Sequence, residues 1–273
     1  MATIVHGAGE RSAKASDDTY QVLPSSLDGG VASRAAIGLV VLATDQTIEA
    51  EWRALLSLPG VAVYGARQYN DAAITPETLR QLADGIAPTV ALILPGGRLD
   101  VVAFGCTSGA MVNGEERVFE LIRAARPGVA CTTPITAARV AFEALGARRI
   151  GLLTPYERRI NDSMRAYLEA RGVAVTRMAS FENPDDNEVA RIDSGSIARG
   201  VAALAAFDDV DAVFVSCTSL RLAEQVASLE ARVGKPVTSS NHAMAWHALR
   251  LAGVGDVLAQ HGRLMTLPLP SAR

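Results

Sequence analysis

Long apolar runs are missing from this 273-residue chain. The longest extend over about eight residues, well short of the roughly 20 that span a bilayer as a helix, so no membrane association is expected. Basic clusters are missing too. Lys and Arg are dispersed along a chain of net charge −3, which leaves no footprint for a phosphate backbone and excludes nucleic acid as an expected partner. Cysteine is scarce: Cys106, Cys131 and Cys217 leave one thiol over after any pairing. They match no zinc spacing such as Cys-x-x-Cys, so no metal site is expected and reduced thiols in the cytoplasm are the natural reading. The first residues, with His6, Glu10, Arg11 and Lys14 among small polar ones, lack the apolar centre of a secretory signal. No Gly-x-Gly-x-x-Gly or Gly-Lys-Thr/Ser pattern surrounds Gly96-Gly97, which reads as a turn rather than a phosphate loop.

What is present is a repeat. Asp100-Val-Val-Ala-Phe-Gly-Cys106-Thr-Ser108 and Asp211-Ala-Val-Phe-Val-Ser-Cys217-Thr-Ser219 share one layout: Asp, four apolar residues, a small residue, then Cys-Thr-Ser. Upstream, Ala36-Ile-Gly38-Leu-Val-Val-Leu-Ala-Thr44-Asp45 resembles Arg149-Ile-Gly151-Leu-Leu-Thr154-Pro-Tyr156. The cysteines lie 111 residues apart and the glycines 113, so both pairs report one offset, as a duplicated βα module would. With 49% hydrophobic residues the chain can fill one large or two small cores.

Short Val-rich runs alternate with helical patterns. Strands are expected at 36–43, 61–66, 99–105, 128–131, 149–154, 173–178, 211–216 and 235–238. Helices are expected at 46–57, 76–94 with a break near Pro88, 114–126, 135–146, 157–171, 188–206, 219–233 and 241–252. This alternation predicts an α/β fold of two similar Rossmann-like domains with parallel sheets, related by a pseudo-twofold axis. The expected boundaries are a loose arm over 1–34, a first domain over 35–134 plus 242–273, and a second over 135–241. Sites in such sheets lie at strand carboxyl ends, where Cys106, Cys217, Asp45 and Tyr156 fall.

A thiolate facing the first free N–H groups of a helix is expected to have a lowered pKa. Thr107, Ser108, Thr218 and Ser219 add hydroxyls and N–H groups suited to a carboxylate. A facing pair of such thiols can move a proton across a carbon or add to a double bond, without a cofactor. Cys131, with no counterpart in the second half, reads as structural. His242 and His247 read as packing residues, and Glu182 to Arg191 as a solvated loop and helix start.

The two Cys-Thr-Ser motifs, with Thr154-Pro-Tyr156, Asp186-Asn187-Glu-Val-Ala-Arg191, Asn241-His-Ala-Met-Ala-Trp246 and Gly262-Arg263-Leu264, resemble the aspartate/glutamate racemase superfamily. The chain looks most like the branch of maleate cis-trans isomerase, arylmalonate decarboxylase and the ectoine-utilisation protein EutA, from about residue 36 to Arg263. The resemblance implies Cys106 and Cys217 as the catalytic pair, with Tyr156 and Asn187 on substrate carboxylate oxygens. Decarboxylases of the branch keep only the second thiol, so Cys106 favours isomerase or racemase chemistry, with a C–C lyase or a silent binding protein as alternatives. Where maleate isomerases carry Ser-Asn-Thr-Thr, this chain has Thr44-Asp45-Gln46-Thr47. An ionised Asp cannot donate to a carboxylate, so Asp45 points to a substrate with a donor-bearing group, to a protonated Asp, or to a helix cap. The expected partner is a small carboxylate or amino-acid-like substrate, bound by a homo-oligomer.

Overall fold

A computed structural model describes residues 20–271. Of the arm expected over 1–34, residues 1–19 lie outside the described residues, and residues 20–30 are exposed and form neither helix nor strand. From Val31 onward the chain forms one unit that contains two parallel four-stranded sheets.

In the first sheet β1 (Ala35–Leu42), β2 (Val61–Gln68), β3 (Val101–Gly105) and β4 (Ala130–Thr132) run in the order β2-β1-β3-β4. In the second, β5 (Arg149–Thr154), β6 (Ala174–Ser180), β7 (Ala212–Val215) and β8 (Val237–Ser239) repeat it as β6-β5-β7-β8. β1, β3 and β7 are buried along their whole length, which is why their sequences are apolar without alternation. The edge strand β2 is half exposed.

The helices are α1 (Ile48–Leu55), α2 (Pro76–Leu92), α3 (Thr107–Asn113), α4 (Glu115–Ala125), α5 (Pro134–Leu145), α6 (Arg158–Glu169), α7 (Asp186–Val189), α8 (Ser194–Ala205), α9 (Val226–Val233) and α10 (Ser240–Leu251). Four differ from expectation: α3 was not expected, and the helix expected over 219–233 begins only at Val226, after a single 3-10 turn at Ala223–Gln225. The helix expected over 188–206 is two pieces, α7 and α8, because Asp193 caps a new start through the Ser196 N–H. The break expected near Pro88 is absent: α2 runs through it, with the ring on the exposed face while Leu82, Ile86 and Val90 stay buried on the other.

The repeated Asp has a structural task. Asp100 Oδ2 accepts the Ala36 N–H at 2.8 Å, and Asp211 Oδ2 accepts the Arg149 N–H at 2.8 Å. Each carboxylate thus ties the entrance of one inner strand to an N–H at the start of its neighbour, β3 to β1 and β7 to β5, satisfying a backbone donor at the sheet margin. In both sheets the strand order reverses between these two strands, which opens a crevice at their carboxyl ends.

α10 packs against α1, α5 and β3. Glu51 of α1 joins the halves from within: its carboxylate accepts the N–H groups of Leu222 and Ala223 and the Asn241 side-chain amide at 2.6–2.7 Å. Burial pushes its pKa up to about 7 despite these three donors.

Candidate active site

β3 ends at Gly105, where a Cβ would sit 2.7 Å from the Val40 carbonyl oxygen, so only glycine lets the chain turn here. Cys106 follows as the cap of α3. Its Sγ accepts the Gly109 N–H at 3.2 Å and lies 4.0 Å from Ser108 Oγ. The sequence pattern gave no helix here, because seven mostly small residues carry no apolar period.

Cys217 follows β7 after Ser216, with φ at +139°, a conformation that a side chain strains to adopt. Its N–H donates to Ser240 Oγ at 3.0 Å, and that same oxygen lies 2.8 Å from Thr107 Oγ1. One buried hydroxyl therefore links the two Cys-Thr-Ser turns. Asn241 Nδ2 holds the Thr218 carbonyl at 2.7 Å, and Thr47 Oγ1 holds the Ser219 carbonyl at 2.9 Å.

Both thiols line one cavity of about 30 Å³, together with Thr107, Ser108, Tyr156 and Thr218. That is room for about one water molecule. Leu42, Ile74, Leu79 and Leu82 supply an apolar wall. The segments after β2 and β6 close over it: an antiparallel bridge joins Ala73 to Asp185, with the Ile74 N–H on the Pro184 carbonyl at 3.0 Å and the Asp186 N–H on the Ala72 carbonyl at 3.1 Å.

Three expected substrate contacts lie elsewhere. Asp45 is buried beneath the turn into α1, where Oδ1 accepts the N–H groups of Thr47 and Ile48 at 2.8 and 2.9 Å; it braces the turn that precedes the cap residue Thr47, and it does not line the cavity. Oδ2 has no hydrogen-bond partner, and burial raises the pKa. Ser219 turns its hydroxyl to Asp186 Oδ1 at 2.8 Å. Asn187 is exposed and accepts from Gln46 Nε2 at 3.1 Å. The Ala73–Asp185 bridge sets the register of this segment, so that Asp186 faces inward and Asn187 outward.

Asp186, Asn70 and Asp71 line the cavity without having been singled out. Asn70 and Asp71 follow β2, and their place at a strand carboxyl end was the available signal. Asp186 was one residue from the chosen one. Cys131 and the two buried histidines do not line the cavity. His242 Nε2 donates to the His261 carbonyl at 2.8 Å, and His247 Nδ1 lies 2.8 Å from Thr132 Oγ1. Among the described residues no group of three His, Cys, Asp or Glu side chains could hold a metal ion.

The thiol pKa values depart from expectation in sign. Burial pushes Cys106 up to about 12, outweighing the Gly109 N–H, and Asp186 and Asp45 add to the rise. Cys217 is pushed up further, by burial first and Asp186 next. Tyr156 is raised well above the phenol range by burial and then by the two thiols beside it. The short α3 offers one N–H, and a buried site with carboxylates nearby opposes charge on sulfur more than that donor favours it. With the cavity closed, both sulfurs are protonated.

Known proteins of similar sequence and fold are enzymes. An arylmalonate decarboxylase from Bordetella bronchiseptica is 30% identical over 204 residues, 70% of this chain and 85% of that protein. A maleate isomerase from Nocardia farcinica is 28% identical over 242 residues, 84% of this chain and 94% of that protein. A solved mutant of the Nocardia farcinica maleate cis-trans isomerase, holding a covalently bound succinylcysteine intermediate, superposes with a TM-score of 0.78 at 27% identity, covering 85% of this chain and 98% of that one. Unliganded arylmalonate decarboxylase superposes with a TM-score of 0.68 at 26% identity, over 85% of this chain and 98% of the other. Residues 37–265 match the arylmalonate decarboxylase family, and the chain belongs to it.

Proposed function

We propose that this protein is a cofactor-independent isomerase or racemase of a small carboxylate, with Cys106 and Cys217 as its two acid–base or nucleophilic groups. The observation that carries this reading is that one cysteine from each half, each from an equivalent strand end, lines the same buried cavity. In racemisation one thiolate takes the proton α to a carboxylate and becomes a thiol; the facing thiol gives its proton to the opposite face and becomes the thiolate. In cis-trans isomerisation a thiolate adds to the double bond, the former double bond rotates, and elimination restores both alkene and thiolate. The succinylcysteine seen in the Nocardia relative supports the second route for the branch. Thr107, Ser108, Thr218 and Tyr156 supply the polar groups that would meet the carboxylate.

The space beside the thiols is narrow, and the segments joined at Ala73 and Asp185 lie over it where an acid would enter. The thiols, neutral while closed, become useful as one thiolate and one thiol once a substrate is seated. We place the chain nearest the EutA proteins of ectoine utilisation, on its Thr44-Asp45-Gln46-Thr47 segment, acting in the cytoplasm as a homo-oligomer.

Arylmalonate-type decarboxylation is the second reading, favoured by the 30% identity with that enzyme. Incubation with small acids in deuterated water, followed by proton NMR, separates the two. Deuterium gain with inversion, or conversion of a cis to a trans alkene, lost in both Cys106→Ser and Cys217→Ser, supports the proposal. Carbon dioxide release that survives Cys106→Ser would sink it in favour of the lyase.

A further inference from the structure

The charge inside the cavity suits a substrate other than a plain diacid. Among the residues lining it there is no Arg, Lys or His, whereas Asp71 and Asp186 are both present. Asp186 is 6% exposed and forms no ion pair among the described residues. Its hydrogen bonds show the role it plays. Asn70 Oδ1 accepts the Thr44 N–H at 3.1 Å, which orients the amide so that Nδ2 donates to Thr44 Oγ1 at 2.7 Å. The Thr44 hydroxyl, already an acceptor, gives its own proton to Asp186 Oδ2. Ser219 Oγ donates to the other oxygen, Oδ1, at 2.8 Å. Both oxygens are thus held as acceptors, the role of an ionised carboxylate.

A buried carboxylate with hydroxyl donors and no cation is an uncompensated charge. Behind it Asp45 adds a second carboxyl, 1% exposed, with Oδ2 lacking any hydrogen-bond partner. Arg67, against the turn that carries Asp45, is engaged by Glu49 and by the carbonyls of Leu42, Ala43 and Asp45. Neither the residues lining the cavity nor Arg67 supplies the opposite charge, which a ligand could bring.

We propose that the acid seated between the thiols carries an ammonium group and that Asp186 is its receptor, which makes the substrate a small amino acid rather than an amine-free dicarboxylate. This rests on the reading of the cavity as the place where the acid binds. The free lone pairs of the two Asp186 oxygens accept ammonium protons, while the hydroxyls of the Cys-Thr-Ser turns meet the carboxylate. Asp186 also raises both thiol pKa values, so a cation placed against it removes part of the field that opposes a thiolate. A dianion would add to that field.

The test uses matched pairs that differ only by the amine: aspartate against succinate, alanine against propanoate, and 2,4-diaminobutyrate against 4-aminobutyrate, with maleate as a further amine-free acid. Calorimetric binding to the whole chain is measured for wild type, Asp186→Asn and Asp186→Glu. The amino member of at least one pair should bind more tightly to wild type. Asp186→Asn should cut that preference by roughly 100-fold, as removal of one partner of a buried charge pair does, with Asp186→Glu restoring part of it. Succinate, propanoate or maleate binding as tightly as any amino acid overturns the proposal, as does binding of no amino acid; these wild-type results decide it even if a variant fails to fold. Thiol-dependent conversion of maleate would sink the ammonium subsite and leave the two-thiol reading intact. Amine-dependent binding without α-deuterium exchange would do the reverse.

Discussion

Cys106 and Cys217 end equivalent strands of two sheets with one strand order, yet their backbones differ. Cys106 is extended, at φ −145° and ψ 117°, and caps a helix whose Gly109 N–H reaches its sulfur. Cys217 sits at φ +139°, no α-helix starts behind it, and its N–H is taken by Ser240. At the position three residues on, Gly109 lets α3 approach the thiol, while Leu220 in the second half is buried in the core. Duplication supplied two equivalent thiols, and each was then set by a different local device: a helix cap on one side, a strained turn held by a side-chain hydroxyl on the other.

Substitutions break that comparison to different extents. The largest effect is expected from Gly109→Ala, whose Cβ would meet Leu82 Cδ1 at 2.6 Å and Cys106 Sγ at 2.8 Å. Displacing the sulfur should lower thiol-dependent deuterium exchange about 100-fold, and the overlap should also lower stability by about 1–3 kcal/mol, which the helix preference of Ala offsets only in part. Exchange at the wild-type rate would show that the Cys106 position does not matter. Ser240→Ala comes next: it orphans the Cys217 N–H and should cost about 2 kcal/mol in urea unfolding. A variant as stable as wild type would mean that the turn holds itself.

Glycine at the two cysteine positions sharpens the contrast in stability. Cys217→Gly relieves a positive φ and Cys106→Gly does not, so the former should be the less damaging by about 1 kcal/mol. Equal losses would show no strain at Cys217. The smallest effect is that of alkali. Cys106 titrates at about 12 in the folded protein against 9.0 when free, so its contribution to stability is complete below pH 9.0 and is lost as pH rises towards 12. Cys106→Ser should therefore lose stability less steeply above pH 9.0 than wild type, by under about 1 kcal/mol within half a pH unit. Parallel curves would place the thiol pKa near its free value.

The inner strands β1, β3 and β7 were legible because fully buried parallel strands read as unbroken apolar runs, and the repeat disclosed which strand ends correspond. Four of the expected substrate contacts, Thr107, Ser108, Tyr156 and Thr218, line the cavity with the two cysteines. What was not legible depends on contacts between distant segments. The choice between Asp186 and Asn187 is set by a bridge to Ala73, more than a hundred residues earlier. Asp45 shows the reverse: its carboxylate serves the two N–H groups of its own next turn, at Thr47 and Ile48, although the cap position itself is Thr47. The thiol pKa values misled because a helix terminus is visible in sequence, whereas burial and neighbouring carboxylates are not.

The oxygen of Ser240, shared between Thr107 and the Cys217 backbone, gives the crevice a fixed floor. Spreading the two Cys-Thr-Ser turns apart would break that shared, fully buried bond. Movement in this crevice is therefore left to the roof above it, the segments joined at Ala73 and Asp185.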